Sequence, residues 1–357
     1  MSDHAGPETN RVRQAPIARA AHAKLNLTLA VDGRRPDGFH DLRSVMVPLS
    51  IADHLEVALA PEDVLATCRC GTDTLELLGD PAFAASTGPR DQNLVLRAVA
   101  SLRDALGADG EALPPLAFRL EKGIPVAAGL AGGSSDAAAA IDAALDAWRI
   151  ELPVSGRAAV GARVGSDVPF FFARGWAIVE GRGERVDPIP APGPLAVLVV
   201  TPGMAVPTAD VFRALAARRA DAAEAGIAGT AHTLAGEVTD RLLVALRSGA
   251  ASAALLGMAP ELADANDLAS AAESLVPELA AFRAGLAGLL GRPAGQSGSG
   301  PTCWVLYASL DEARSAADRV RAATGDGRLT PPGSRPPFIA AAEVLATADE
   351  LPQRAGE

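Results

Sequence analysis

A chain of 357 residues, 49% of them hydrophobic, has enough apolar material for a large core in one or two domains and is not a disordered protein. Its formal net charge of −11 gives a field that repels nucleic acid and anionic membranes, so an anionic ligand must be held by local donors. Three cysteines, Cys68, Cys70 and Cys303, with no C-x-x-C spacing, argue against a disulfide framework or a zinc site and fit a reducing cytoplasm.

The polar N-terminal stretch "MSDHAGPETNRVRQAP" lacks the apolar run of a signal peptide and reads as a frayed arm. No segment approaches the ~18 apolar residues of a membrane helix. "APIARAAHAKLNLTLAVDG" carries apolar residues through Leu25, Leu27 and Leu29, predicting a strand that turns at Asp32-Gly33. "RSVMVPLSIADHLEVALA" continues as strand. From Leu94 to Leu106 apolar residues recur at helical spacing, with Asp91 or Asn93 as the cap. A short strand, Leu116 to Leu120, leads into the glycine- and serine-rich "GIPVAAGLAGGSSDAAAAIDAAL", whose alanine-rich part is a helix from Ser135 to Trp148 with serines and Asp136 at its start. "SGRAAVGARVGSDVPFFFARGWAIVEGRGERV" reads as a short helix, a loop and a strand hairpin.

The proline-rich "DPIPAPGP", Asp187 to Pro194, marks a domain boundary. Beyond it "LAVLVVTPG" is a buried strand and "TADVFRALAARRADAA" a helix, while Ala222 to Gly257 is part helix and part loop. Leu275 to Leu290 is a helix, "QSGSGPTCWVLYAS" a glycine turn into a strand, and "LDEARSAADRVRAAT" a last amphipathic helix. The order is α+β, with domains at 1–190 and 191–345 and a flexible tail at 346–357.

Arginine supplies almost all the positive charge: lysine occurs only at Lys24 and Lys122, each beside a motif-like stretch. The two residue types are not interchangeable, because an ammonium is a compact point charge. Between a strand and a helix start, the amides of a glycine-rich loop converge where the helix dipole favours an anion. A structural turn has the same composition, and the residues alone leave both readings open. The loop has neither the lysine of a Walker A motif nor the G-x-G-x-x-G of a dinucleotide fold. Asp167, in a Gly-Ser-Asp turn, suits a proton acceptor and Lys24 suits its charge partner; a helix-capping aspartate and a surface strand lysine are the alternatives.

"IPVAAGLAGGSSDAAAA" resembles the nucleotide-binding motif of the GHMP kinases, P-x-x-x-G-L-G/A-[GS]-S-S-[AD]-A. The resemblance implies that Pro125, Val126, Ala127, Ala128, Gly129, Leu130, Ala131, Gly132, Gly133, Ser134 and Ser135 wrap the triphosphate of ATP. Alanine stands at Ala127, Ala128 and Ala131 where many members carry glycine or serine. "AKLNLTLAVDGRRPDGFHDL" and "VGSDVPFFFARGWAIVEGRGE" are similar to one branch of that family, which phosphorylates the 2-hydroxyl of CDP-methylerythritol in the non-mevalonate route to isoprenoid precursors. "NDL" at 266–268 and "GSGPT" at 298–302 spread the resemblance over most of the chain.

The resemblance implies a two-domain α+β kinase with its active site in the cleft between domains, acting in the cytoplasm as a monomer or homodimer. It makes Lys24 and Asp167 the catalytic pair. It makes Asn26, Phe39, His40, Lys122, Thr208 and Phe212 the substrate contacts, with the histidine, the lysine and the aromatic groups at the cytosine. Ala209 stands where the family has a second proline beside Thr208. Mg2+ is expected to bridge the ATP phosphates, through Ser134 or Ser135.

Overall fold

The computed structural model describes residues 15–34, 40–60, 73–79, 92–111, 113–224 and 233–347. Phe39, Cys68, Cys70 and Asp91 lie outside these, as does the side chain of His40. β1 (Ile17–Asn26) and β2 (Ala30–Arg34) are antiparallel to β3 (His40–Leu59), the longest strand. β4 (Thr74–Gly79) is parallel to β5 (Leu116–Lys122), which is antiparallel to β3. β6 (Ala177–Gly181) pairs with β3 and with β7 (Arg185–Pro188). After residue 190 a second set forms: β8 (Leu195–Gly203), β9 (Gly295–Gln296), β10 (Cys303–Tyr307) and β11 (Arg335–Val344). The main path runs β4-β5-β3-β11-β8-β10-β9, and the two sets meet where Val344 pairs with Leu49.

The helices are α1 (Leu94–Leu106), α2 (Ala108–Glu111), α3 (Gly132–Trp148), α4 (Val154–Val164), a 3-10 helix (Val168–Ala173), α5 (Thr208–Glu224), α6 (Leu234–Arg247), α7 (Ser252–Gly257), α8 (Ala259–Asp264), α9 (Ala269–Leu275), α10 (Glu278–Leu290) and α11 (Leu310–Gly325). α1 has the predicted bounds, and Asn93 caps it by accepting the Val95 amide at 2.9 Å, a contact worth ~1 kcal/mol. One apolar cluster takes Leu25 from β1, Leu27 just after it, Val45 and Val47 from β3, Val197 and Val199 from β8 and Trp304 from β10, so both strand sets share a core.

Four expectations need correction. α3 starts at Gly132 rather than Ser135, with Ala131 as its N-cap in left-handed conformation and no side-chain cap. The expected helix from Leu275 divides at Pro277, which cannot donate to a preceding turn. Asp32 and Gly33 lie within β2 at a break in register, not in the turn. β11 went unmarked because Pro336 and Pro337 and three successive alanines hide a strand; the prolines sit where its register with β8 is interrupted, between Arg335 and Phe338, so little of the ladder is lost.

Candidate active site

Lys24 lies in the buried half of β1, where a break in register after His22 re-aims the strand. Its ammonium, 4% exposed, donates to the Gly129 carbonyl at 2.9 Å and to Asn26 Oδ1 at 2.5 Å, and stands 3.7 Å from Asp167 Oδ2. Burial pulls this ammonium below the ordinary lysine value, and Asp167 opposes the shift. Asp167 precedes the 3-10 helix without capping it, and its side chain is 33% exposed. Neither structural alternative holds: the lysine is not on the surface, and the carboxylate is not a cap.

Between β5 and α3 the backbone is left-handed at Ala127 (φ 54°), Gly129 (φ 80°) and Ala131 (φ 54°), which coils the loop back on itself. Gly129 cannot carry a side chain, since a Cβ there would stand 2.3 Å from the Ser297 carbonyl oxygen. The first helix-closing bond runs from the Ser135 amide to the Ala131 carbonyl at 2.9 Å, so the amides of Gly132, Gly133 and Ser134 precede it. These three residues line a cavity of about 520 Å³, with Lys24 and Asp167 also in its wall. Within the segment from Pro125 to Ser135, Leu130 and Ser135 turn away into the protein and the others line the cavity.

Lys122, expected at the cytosine, lines the cavity and is also held from beneath by carboxylates. Its ammonium, 2% exposed, is bound by Asp53 Oδ2 and by Asp136 Oδ2, the latter at 2.7 Å. Asp53 Oδ1 accepts the amides of Gly123 at 2.6 Å and Ile124 at 2.8 Å, so the same carboxylate ties down the entry to the loop. An ammonium this deep must be paired, and here the pairing anchors the loop's base. Burial works to lower the Lys122 ammonium, but the two carboxylates override it and leave it above the ordinary lysine value. Burial pushes the Asp136 carboxyl well above the usual carboxylate range, against the pull of Lys122. Asp136 lines the cavity, and its Oδ1 has no hydrogen-bond partner among the described residues.

Thr208 and Phe212, one turn apart on α5, line another part of the cavity, and Thr208 Oγ1 is 2.9 Å from Ser299 Oγ. α5 begins at Thr208, directly after Pro207, with Ala209 in its first turn. Asn26 lines the cavity too, but its amide is committed: Oδ1 accepts from Lys24, and Nδ2 donates to Ser44 Oγ at 2.7 Å. It therefore also holds the lysine, besides standing in the cavity wall where a substrate contact is expected. His40 opens β3 opposite Arg34 in the backbone pairing. Asn93, Asp136, Gly298 and Ser299 also line the cavity without having been singled out as site residues. Only "GSGPT" gave a sequence signal for the last two.

A family model described as the GHMP kinases N terminal domain matches residues 93–175, from the cap of α1 to just past the 3-10 helix. The class is that of the GHMP small-molecule kinases. Within it, a 4-diphosphocytidyl-2-C-methyl-D-erythritol kinase of Pelotomaculum thermopropionicum is 37% identical over 314 residues, covering 85% of this chain and 94% of that protein. The kinase of the same name from Symbiobacterium thermophilum is 46% identical over 193 residues, 54% of this chain and 62% of that protein. A crystal structure of 4-(cytidine 5'-diphospho)-2C-methyl-D-erythritol kinase superimposes with a TM-score of 0.63 at 30% identity, covering 91% of this chain and 99% of that one. The chain belongs to the 4-diphosphocytidyl-2-C-methyl-D-erythritol kinase family.

Proposed function

We propose that this chain transfers the γ-phosphoryl group of ATP to the 2-hydroxyl of 4-diphosphocytidyl-2-C-methyl-D-erythritol, a step toward isoprenoid precursors, in the cavity described above. One juxtaposition carries the reading: the leading amides of α3 and the Lys24–Asp167 pair line the same space. Phosphoryl transfer to an alcohol needs positioning, charge neutralisation and a place for the hydroxyl proton. The amides of Gly132, Gly133 and Ser134, at the positive end of the α3 dipole, hold the triphosphate oxygens. Asp167 takes the 2-hydroxyl proton as the oxygen–phosphorus bond forms and the bond to the β,γ-bridging oxygen breaks, releasing ADP. Lys24, 3.7 Å from Asp167, stabilises the charge on the reacting oxygen.

Mg2+ accompanies ATP in this reading, and the donors present fit it. Among the described residues no acidic or histidine cluster could hold a metal alone, so Ser134 would offer its hydroxyl and phosphate oxygens and water would complete the shell. Bound there, the metal would neutralise phosphate charge. Ser135, buried beneath the helix start, is not placed for that role. Thr208 and Phe212 face the acceptor, with Phe212 suited to a planar pyrimidine; Phe39 and the side chain of His40, expected at the cytosine, lie outside the described residues. The reading places the enzyme in the cytoplasm as a monomer or homodimer; no helix among the described residues is long and apolar enough to cross a membrane.

A coupled ADP-release assay tests this directly. Turnover is expected with the cytidine-diphosphate alcohol and not with homoserine or mevalonate. Asp167→Asn is expected to lose about 10²–10⁴-fold in kcat while still binding the acceptor. Wild-type turnover in Asp167→Asn would remove the aspartate from the chemistry, and turnover of mevalonate alone would overturn the substrate.

A further inference from the structure

Both acceptors that hold the Lys24 ammonium are themselves held by one residue from the far half of the chain. Ser297, fully buried in the turn between β9 and β10, donates its hydroxyl to the Gly129 carbonyl at 2.9 Å. That is the same oxygen to which Lys24 Nζ donates at 2.9 Å, so the carbonyl uses both lone pairs. Ser297 Oγ also accepts the backbone amide of Asn26 at 3.2 Å, and Asn26 Oδ1 is the second acceptor of Lys24. The serine is not a loose lid. Its turn is closed by the Ser297 amide on the Thr302 carbonyl at 3.0 Å, and Asn266 Nδ2 donates to the carbonyls of Gln296 and Gly298 at 3.0 and 2.9 Å.

We propose that Ser297 is a positioning residue for Lys24: through the Gly129 carbonyl and the Asn26 backbone it fixes the ammonium against Asp167 and turns the Gly129 carbonyl away from the phosphate cavity. The proposal rests on the phosphoryl-transfer role of Lys24 and adds a residue that does not touch substrate. It also gives a reason why the turn between β9 and β10 lies against the glycine loop. Gly129 has no room for a Cβ because the Ser297 backbone lies against it, so contact and hydroxyl bond belong to one interface.

The test uses Ser297→Ala in the full chain with two readouts. The chain has two lysines, so lysine labelled with 13C at Cε gives two signals, and Lys122→Arg assigns the one that remains. With Ser297 removed, the Lys24 signal is expected to broaden and to titrate closer to the ordinary lysine value, with Asp167 the charged group acting on it and Lys122 unmoved. The kcat is expected to fall about tenfold or more, with KM for ATP and for the acceptor each within about twofold, as for a misplaced catalytic group. If Ser297→Ala does not fold, Ser297→Cys, of similar volume and weaker as a donor, is read the same way. A folded variant whose Lys24 signal titrates as in wild type, or whose loss lies in the KM for ATP with kcat unchanged, overturns the proposal. Failure of the wild type to phosphorylate the cytidine-diphosphate alcohol would instead overturn the function, leaving the lysine titration to report on Ser297 by itself.

Discussion

Asp53→Ala removes the acceptor of three hydrogen bonds from beneath the glycine loop: those from Lys122 Nζ and from the amides of Gly123 and Ile124. Breaking a buried ion pair by deleting one partner costs about 3–5 kcal/mol, because the other charge stays buried. Asp136 remains as a second partner for Lys122, which takes that figure to its lower end. A buried amide left without an acceptor adds about 1–3 kcal/mol. Together these come to about 5 kcal/mol, a large share of a domain's stability of about 5–15 kcal/mol. At ~2–4 °C per kcal/mol, thermal unfolding followed by circular dichroism is expected about 10–20 °C below wild type. Because Gly123 and Ile124 lead into the loop, the KM for ATP is expected to rise more than that for the acceptor. Asp53→Asn, which keeps an oxygen for the two amides, is expected to spare the KM for ATP better than it spares stability. A Tm within ~3 °C of wild type, with the KM for ATP unchanged, would refute the claim that this carboxylate anchors the loop.

Gly129→Ala places a Cβ 2.3 Å from the Ser297 oxygen at a φ of 80°, so kcat/KM is expected to fall at least about tenfold, ~1.4 kcal/mol; wild-type kcat/KM would show that the two loops can separate freely. The two lysines are expected to titrate on opposite sides of the ordinary value, Lys24 below it and Lys122 above it, and Cε signals that titrate together would contradict the burial and pairing described. The signs for stability differ: the contribution of Lys122 is present below the ordinary lysine value and lost as pH rises through its raised folded value. That of Lys24 is present above the ordinary value and lost as pH falls through its lowered one. Ala131→Gly relieves a left-handed conformation costing about 1–2 kcal/mol and gives back about 0.4–1 kcal/mol in unfolded-chain entropy. A small gain in Tm is expected, and a loss would mean that the αL alanine is not strained.

The sequence made legible those parts of the site whose chemistry is written locally. The loop from Gly123 to Ser134, most of which lines the cavity, could be picked out because a run of small residues opens a helix there, and Lys24 because lysine is so rare here. The triad beneath the loop could not. Asp53 lies in the middle of β3, 69 residues from Lys122, and nothing in "SIADHLEV" separates a buried carboxylate from one on a solvated face. The resemblance put Lys122 at the cytosine, and nothing in the sequence around it signals the two carboxylates from other elements that also bind its ammonium. β11 failed for a related reason: its place between β3 and β8 is decided by partners remote in the chain, and its prolines and alanines carry little β preference of their own.

In the proposed reading, the charges around the cavity give a reason why so acidic a protein takes a triphosphate there, and why it does not do so with side chains alone. The cations among the described residues lining the cavity are Lys24 and Lys122, while arginines such as Arg119 and Arg314 pair with carboxylates on the exposed surface. Against these two ammoniums stand three carboxyl groups, Asp53, Asp136 and Asp167. The lysines are therefore already matched before any ligand arrives, and the phosphates gain no surplus positive charge from them. What remains for the anion is the row of amides at the start of α3 and whatever cation the nucleotide carries with it. Amide dipoles neither titrate nor need a counter-charge, so a loop of small residues can serve a strongly anionic ligand inside a protein whose overall field opposes it.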